Sequence, residues 1–305
     1  MTVDVVLHPT NQVGLPAALA GVPGVKLLAP PDEDGVAEAL RSAPILMTRR
    51  WREDFLTPAL RWVQTLSSGY DLLPVDELRQ RGVVLTTASG THPVVAEHAV
   101  GLLLALLRGI DESIRDMATM RWRPHITEEL GGRTVVVAGL GAIGQAVVDR
   151  LKPFDVRLIG VTRSPGQRRT EVADVRPLSA LVSAAAEASV LIVTLPAAPE
   201  THHIVSGEVL DALGSGWLVN VGRGPVVDER ALVRRLSSGA LRGAGLDVTE
   251  VEPLPEGSPL WRLPNVIVTP HRAGLAPGYT ERMAALLATN LAAYRQDGPW
   301  RNRVH

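Results

Sequence analysis

The chain has 305 residues, 46% of them apolar and 21% charged, with a formal net charge of −1; that is length for two domains with separate cores and the balance of a soluble globular protein. The near-zero charge gives no electrostatic reason to expect nucleic acid or an anionic membrane as partner, and the absence of cysteine excludes disulfides, thiolate nucleophiles and thiolate metal sites. The opening "MTVDVVLHPT" is not a secretory signal, and the longest apolar run (99–107) is about half of the ~20 residues a bilayer span needs, so a cytoplasmic location is expected.

In chain order, the first block carries short β-branched runs at 3–7, 25–28, 45–47, 62–66 and 83–87, with helical stretches at 35–43 and 74–82 between them. This is the pattern of a small parallel α/β sheet. Next comes "HPVVAEHAVGLLLALLRGIDESIRDM" (92–117), apolar on more than one face, as expected of a buried helix or one that spans two domains. The second block places strands at 134–138, 156–161, 190–194, 217–221, 243–247 and 265–269. Helices near 142–152, 178–188, 206–213 and 228–238 suit right-handed βαβ crossovers. Asp228 reads as an N-cap and Pro153 as a helix stop. The last helix, 280–298 with Thr280 as its cap, has no following strand and is expected to return to the first block.

The expected fold is therefore α/β: a Rossmann-type doubly wound parallel domain and a smaller flavodoxin-like α/β domain. The smaller, discontinuous domain would hold residues 1–96 and 276–305. The dinucleotide-binding domain would hold 97–275, joined through an interdomain helix at 93–117, with hinges near 92–98 and 274–280.

Gly139-Leu140-Gly141-Ala142-Ile143-Gly144 matches G-x-G-x-x-G between a predicted strand and a predicted helix. The first glycine permits the tight turn, the second lets backbone approach a pyrophosphate, and the third lets the helix pack on the strand. An NAD site normally ends its second strand on an acid that binds the ribose hydroxyls. Here there is no carboxylate between Asp155 and Glu171; Thr162, Arg163 and Ser164 stand at the strand end, with Arg168 and Arg169 beyond. Two hydroxyls and a guanidinium suit a 2′-phosphate. The pattern points to NADP(H), with NAD(H) as the alternative.

Three further motifs end strands in the second block: "NVGRGPVVDE" with Arg223, "GLDVTEVEPLP" with Asp247 and Glu252, and "VTPHRAG" with His271. In an open parallel sheet those ends face the ligand crevice. These motifs, with the glycine turn, "SSGYD" (67–71) and "VAEHAVGLLLALLR", resemble the D-isomer-specific 2-hydroxyacid dehydrogenase family, which includes glyoxylate/hydroxypyruvate reductases. The resemblance implies that Arg223 grips the substrate carboxylate and polarises the keto oxygen. His271 would be the general acid, and Glu252 would hydrogen-bond it and favour its charged form. It also places Asp247 near the nicotinamide, Pro196, Val221, Gly222 and Gly274 along the cofactor, and Gly69 and Tyr70 at the substrate carboxylate. Arg49 and Trp51 are further substrate-side positions, and Trp122 belongs to a dimer arm. Glu252, where a formate dehydrogenase-type site would hold Gln, argues for proton transfer. His92, His98, His202 and His203 lack metal-ligand spacing and are expected to cap, pack or face solvent; no metal is expected.

The expected activity is hydride transfer between NADP(H) and a small 2-oxo acid or D-2-hydroxy acid, by a homodimer without nucleic-acid or membrane partners. The alternatives are an NAD(H)-dependent enzyme on a bulkier 2-oxo acid and a non-catalytic, dinucleotide-sensing corepressor-like protein.

Overall fold

The computed structural model describes residues 2–9, 14–67, 69–88, 92–167 and 171–304. The chain divides into two compact units, Met1–Thr91 with Leu275–His305, and His92–Gly274.

In the first unit, strands β1 (Val3–Leu7), β2 (Val25–Leu28), β3 (Ile45–Thr48), β4 (Trp62–Thr65) and β5 (Val84–Thr86) form one parallel sheet in the order β2-β1-β3-β4-β5. Helices α1 (Leu15–Ala20), α2 (Glu33–Ala39) and α3 (Val75–Gln80) are its crossovers. Every residue of β3 and β4 is buried, as the central strands of a sheet covered on both faces must be. The C-terminal helix Tyr279–Gln296 lays Tyr279, Met283, Leu287 and Leu291 on the face made by Val5, Leu7, Ile45 and Trp62. Asn290, wholly buried, fixes it there by donating from Nδ2 to Gln64 Oε1 at 3.3 Å. That helix begins on Gly278 in the left-handed region; Thr280 is not its cap, because its hydroxyl donates to Glu281 instead.

The second unit opens with α4 (His92–Leu107), and the chain then turns by 67° into α5 (Ile110–Ala118). The single helix expected over 93–117 is thus broken at Gly109, whose φ of 59° leaves the right-handed helix. No single described helix is long and apolar enough to cross a membrane; only this bent pair passes, by length and composition.

Strands β6 (Thr134–Ala138), β7 (Arg157–Thr162), β8 (Asp174–Pro177), β9 (Val190–Val193), β10 (Trp217–Asn220), β11 (Gly243–Leu246) and β12 (Val266–Val268) form a parallel sheet ordered β12-β11-β10-β9-β6-β7-β8. The order reverses between β6 and β9, the switch point at which a doubly wound sheet opens a crevice. Side chains alternate across it. Val136 and Ala138 face the core of α7 (Leu181–Ala186), α8 (Gly207–Leu213) and α9 (Glu229–Ser237), whereas Val135 and Val137 face α4 and α6 (Ala142–Leu151). Gly245 lets α4 press onto β11, where an added Cβ would meet Leu102 Cβ at 2.9 Å. Asp228 caps α9 by accepting from Ala231 N–H at 2.8 Å, as its sequence position requires.

Candidate active site

The glycine turn leaves β6 with Gly139 at φ 103°, a conformation closed to other residues, and its amide donates to Val161 O at 2.7 Å. A Cβ on Gly144 would lie 1.8 Å from Gly139 O, so only glycine brings α6 this close to the strand. Gly141 is the N-cap of the ten-residue α6 and has no side chain to occupy its first amides. This bare helix N-terminus at the switch point fits a dinucleotide pyrophosphate. Leu140 is buried and packs over Gly160, so its contribution to such a site is confined to backbone; Ala142 is exposed and Ile143 half-buried.

At the end of β7, Thr162 is buried, Ser164 half-buried and Arg163 exposed. Arg168 and Arg169 lie outside the described residues. Arg163 Nη1 pairs with Glu200 Oε1 at 3.1 Å. Glu200 stands in the turn after β9, 37 residues on, where no motif reading looks for a partner of Arg163. Glu200 is held below the usual carboxylate range, first by its own backbone amide and then by Arg163. An open groove of about 520 Å³ adjoins this pair, lined in part by Leu178, Leu181, Val182 and Val209. Pro196 is exposed nearby in sequence, its carbonyl taken by the Thr201 hydroxyl at 2.7 Å.

Arg223 follows β10 on a turn that Asn220 clamps from both sides. Asn220, 1% exposed, donates from Nδ2 to Arg223 O at 3.0 Å and accepts from Gly222 N–H at 3.0 Å. Glycine is needed on both flanks: a Cβ on Gly222 would sit 2.5 Å from Leu195 O, and one on Gly224 1.8 Å from Thr249 O. The turn is therefore pressed between the segments after β9 and β11. Val221 is buried beneath it. The Arg223 guanidinium donates to Gly222 O at 2.8 Å.

His271 and Glu252 meet as the motif order implies. His271 Nδ1 donates to Glu252 Oε2 at 2.7 Å, and the other oxygen of Glu252 accepts from Thr249 N–H at 3.2 Å. Burial pushes the Glu252 carboxyl upward. The His271 bond and charge, the Thr249 amide and the Arg223 charge outweigh it, so Glu252 lies below its ordinary value. With Nδ1 engaged, Nε2 of His271 is the edge left for chemistry. Half the imidazole surface is exposed (51%), enough for a ligand to reach it.

Asp247 stands at the end of β11 and organises the neighbouring loop. It is 3% exposed, and both oxygens are taken by donors of the segment carrying His271: Thr269 Oγ1, Arg272 N–H and Ala273 N–H. His98, expected only to cap, pack or face solvent, reaches Thr269 Oγ1 from α4 at 2.9 Å. His203 pairs with Glu250 and stacks on His202 at 4.0 Å between centroids. Its amide donates to Pro225 O at 2.9 Å, so it braces the Arg223 turn. Gly274 is half-buried at the end of the unit. Among the described residues no three His, Asp or Glu side chains converge as a metal site.

In the first unit, the loop with Gly69 and Tyr70 is shaped by Ser67 Oγ–H, which donates to Gly69 O at 2.8 Å, and by Leu73 N–H, which donates to Tyr70 O. Tyr70 is 41% exposed. Arg49 bonds Leu66 O through two nitrogens and Trp51 packs edge-on against Phe55. Both are anchored within that unit's own framework.

Residues 100–273 match the family model described as D-isomer specific 2-hydroxyacid dehydrogenase, NAD binding domain. A glyoxylate reductase from Thermofilum pendens is 36% identical over 77% of this chain and 72% of its own. A glyoxylate/hydroxypyruvate reductase B from Yersinia pestis is 34% identical over 87% and 84%. Among solved structures, an NADPH-dependent glyoxylate/hydroxypyruvate reductase from Sinorhizobium meliloti, in complex with NADP and malonate, superposes with a TM-score of 0.87. It is 32% identical, and the match covers 100% of this chain and 97% of that one.

Proposed function

The chain belongs to the D-isomer specific 2-hydroxyacid dehydrogenase family, and on that premise we propose that it reduces a small 2-oxo acid of the glyoxylate or hydroxypyruvate type to the D-2-hydroxy acid with NADPH. One observation carries this reading: an imidazole hydrogen-bonded to a carboxylate stands on the strand-end loops that also hold Arg223, in the unit whose sheet opens on a dinucleotide turn.

NADPH, when bound, supplies the hydride. Gly139, Gly141 and Gly144 would hold its pyrophosphate against the α6 amides, and Arg163 its 2′-phosphate. Arg223 binds the 2-oxo acid and draws electron density toward the keto oxygen, the task a permanently charged planar fork performs best. His271 donates the Nε2 proton to that oxygen as the alkoxide charge develops, and takes it back in the oxidative direction. Glu252 fixes the ring through Nδ1 and offsets the positive charge. By the family resemblance, the amides of Gly69 and Tyr70 would bind a substrate carboxylate. NAD(H) stays usable, because it brings no phosphate to this position and the Arg163 charge is already partnered by Glu200.

The working form is a homodimer through α5 and the segment after it. Met117, Met120, Trp122 and Ile126 are 77%, 95%, 96% and 101% exposed, an apolar surface of the kind monomers avoid. The test of the activity is loss of the nicotinamide absorbance with glyoxylate, hydroxypyruvate and bulkier 2-oxo acids, each with NADPH and NADH. Turnover fastest with NADPH and the small acids is expected. Tight cofactor binding with no turnover on any acid would overturn the reading in favour of a dinucleotide sensor.

A further inference from the structure

We propose that His98 and Thr269 are positioning residues for His271, acting through the buried carboxylate of Asp247; the inference rests on the reading of His271 as the proton donor. The loop that carries His271 has little regular structure of its own, and one residue organises it. Asp247 Oδ1 accepts from Thr269 Oγ1–H at 2.6 Å and from Arg272 N–H at 3.0 Å, Oδ2 accepts from Ala273 N–H at 3.0 Å, and the Asp247 carbonyl accepts from His271 N–H at 2.8 Å. Four donors spread over five consecutive residues thus converge on a single side chain and its backbone.

That convergence has work to do. His271 sits at φ 46°, in the left-handed region that a non-glycine residue enters at a cost. Such a conformation persists only where its surroundings over-determine it. Asp247 fixes the backbone on one side and Glu252 fixes the ring on the other. The Asp247 amide donates to Asn220 O of β10 at 3.0 Å, and the tie from Asp247 to α4 runs through the Thr269 hydroxyl and a 3.5 Å approach of His98 Nε2 to Asp247 Oδ1. Because that hydroxyl gives its proton to Asp247, it accepts from His98 Nε2–H at 2.9 Å. His98 stands on α4, a sixteen-residue helix whose Val95, Ala96, Ala99, Leu102 and Leu103 are built into the core. The relay His98–Thr269–Asp247 therefore references the His271 loop to a helix built into the core.

The protonation state agrees with this direction. Burial lowers the His98 imidazole below its ordinary value and Arg272 adds to the effect, while Asp247 opposes it. Burial thus disfavours the charged imidazole, and the 3.5 Å approach of His98 Nε2 to Asp247 Oδ1 belongs to the same cluster of polar contacts.

The experiment uses Thr269→Val, Thr269→Ser and His98→Ala, each alone and in a His271→Ala background. Steady-state reduction and NADPH fluorescence titration are the readouts. Misplacing a proton donor by a fraction of a side-chain length costs roughly 10- to 100-fold in turnover. Thr269→Val and His98→Ala should therefore lower kcat about 10-fold with KM for the 2-oxo acid and the NADPH dissociation constant little changed, and Thr269→Ser should restore most of the rate. In the His271→Ala background neither substitution should lower the residual rate further, since both act through the missing group. Equal fractional losses in the two backgrounds, unchanged kcat in both single variants, or weakened NADPH binding with intact kcat would overturn the inference. If Thr269→Val fails to fold, Thr269→Ser and His98→Ala carry the same test. Normal turnover by His271→Ala alone would overturn the reading beneath it, a different result from a dead His271→Ala with additive losses.

Discussion

Replacing Arg163 with Ala tests the group proposed to meet the 2′-phosphate of NADPH. In NADPH the 2′-phosphate adds a dianion at the end of β7. A charge-assisted hydrogen bond to it contributes about 1.5–3 kcal/mol when well formed. Arg163 is 78% exposed, so solvent screens the contact, and its fork is shared with Glu200, which must be displaced or must share it. About 1–2 kcal/mol remains after that discount, or roughly 5- to 30-fold in affinity. NADH has no phosphate there, and its dissociation constant should change by no more than about 2-fold. The assay is fluorescence titration of both cofactors at fixed ionic strength, because exposed contacts weaken with salt. Equal losses for NADPH and NADH, or none for either, would refute the phosphate assignment while leaving the fold untouched.

Glu200→Gln should act oppositely, tightening NADPH by about 2- to 5-fold and NADH hardly at all, because it frees Arg163 and removes a repelling charge; weaker NADPH binding in the same titration would contradict this. His271→Ala should lower kcat for reduction by about 100-fold or more, the usual contribution of a general acid. Glu252 lies below its ordinary value of 4.5 in the folded state, so its stabilising contribution is complete above that pH and is lost as pH falls through the folded value. The Tm gap between the parent and Glu252→Gln should accordingly be largest above pH 4.5 and close as the solution is acidified below it; a constant gap would show that the His271 pair does not set this linkage. Met117→Glu with Trp122→Glu should convert a dimer to monomers in light scattering coupled to size exclusion; an unchanged mass would remove α5 from the interface.

Much of this molecule was legible along the chain. The central strands are continuous β-branched runs because a parallel sheet is covered on both faces, and residues such as Val190–Val193 have no alternative use. Gly139, Gly144, Gly222 and Gly224 mark positions where backbone meets backbone, so composition alone betrays them. Arg223, Glu252 and His271 fall at strand ends, and strand ends are what hydrophobic periodicity locates. Edge strand β8 escaped that reading because Asp174, Arg176 and Pro177 give it the charged, proline-bearing character of a guarded edge. The break at Gly109 escaped it too, since glycine inside an apolar helical run is tolerated as often as it turns the chain.

The tertiary structure alone decided which distant groups share a site. Sheet order brings Glu200 beside Arg163 across 37 residues, and the packing of α4 on β11 brings His98 to Thr269 across 171. Local periodicity reports how each segment folds and which face it buries. It carries no information about side chains whose meeting depends on strand order, and in this protein the Arg163–Glu200 and His98–Thr269 contacts are of that kind.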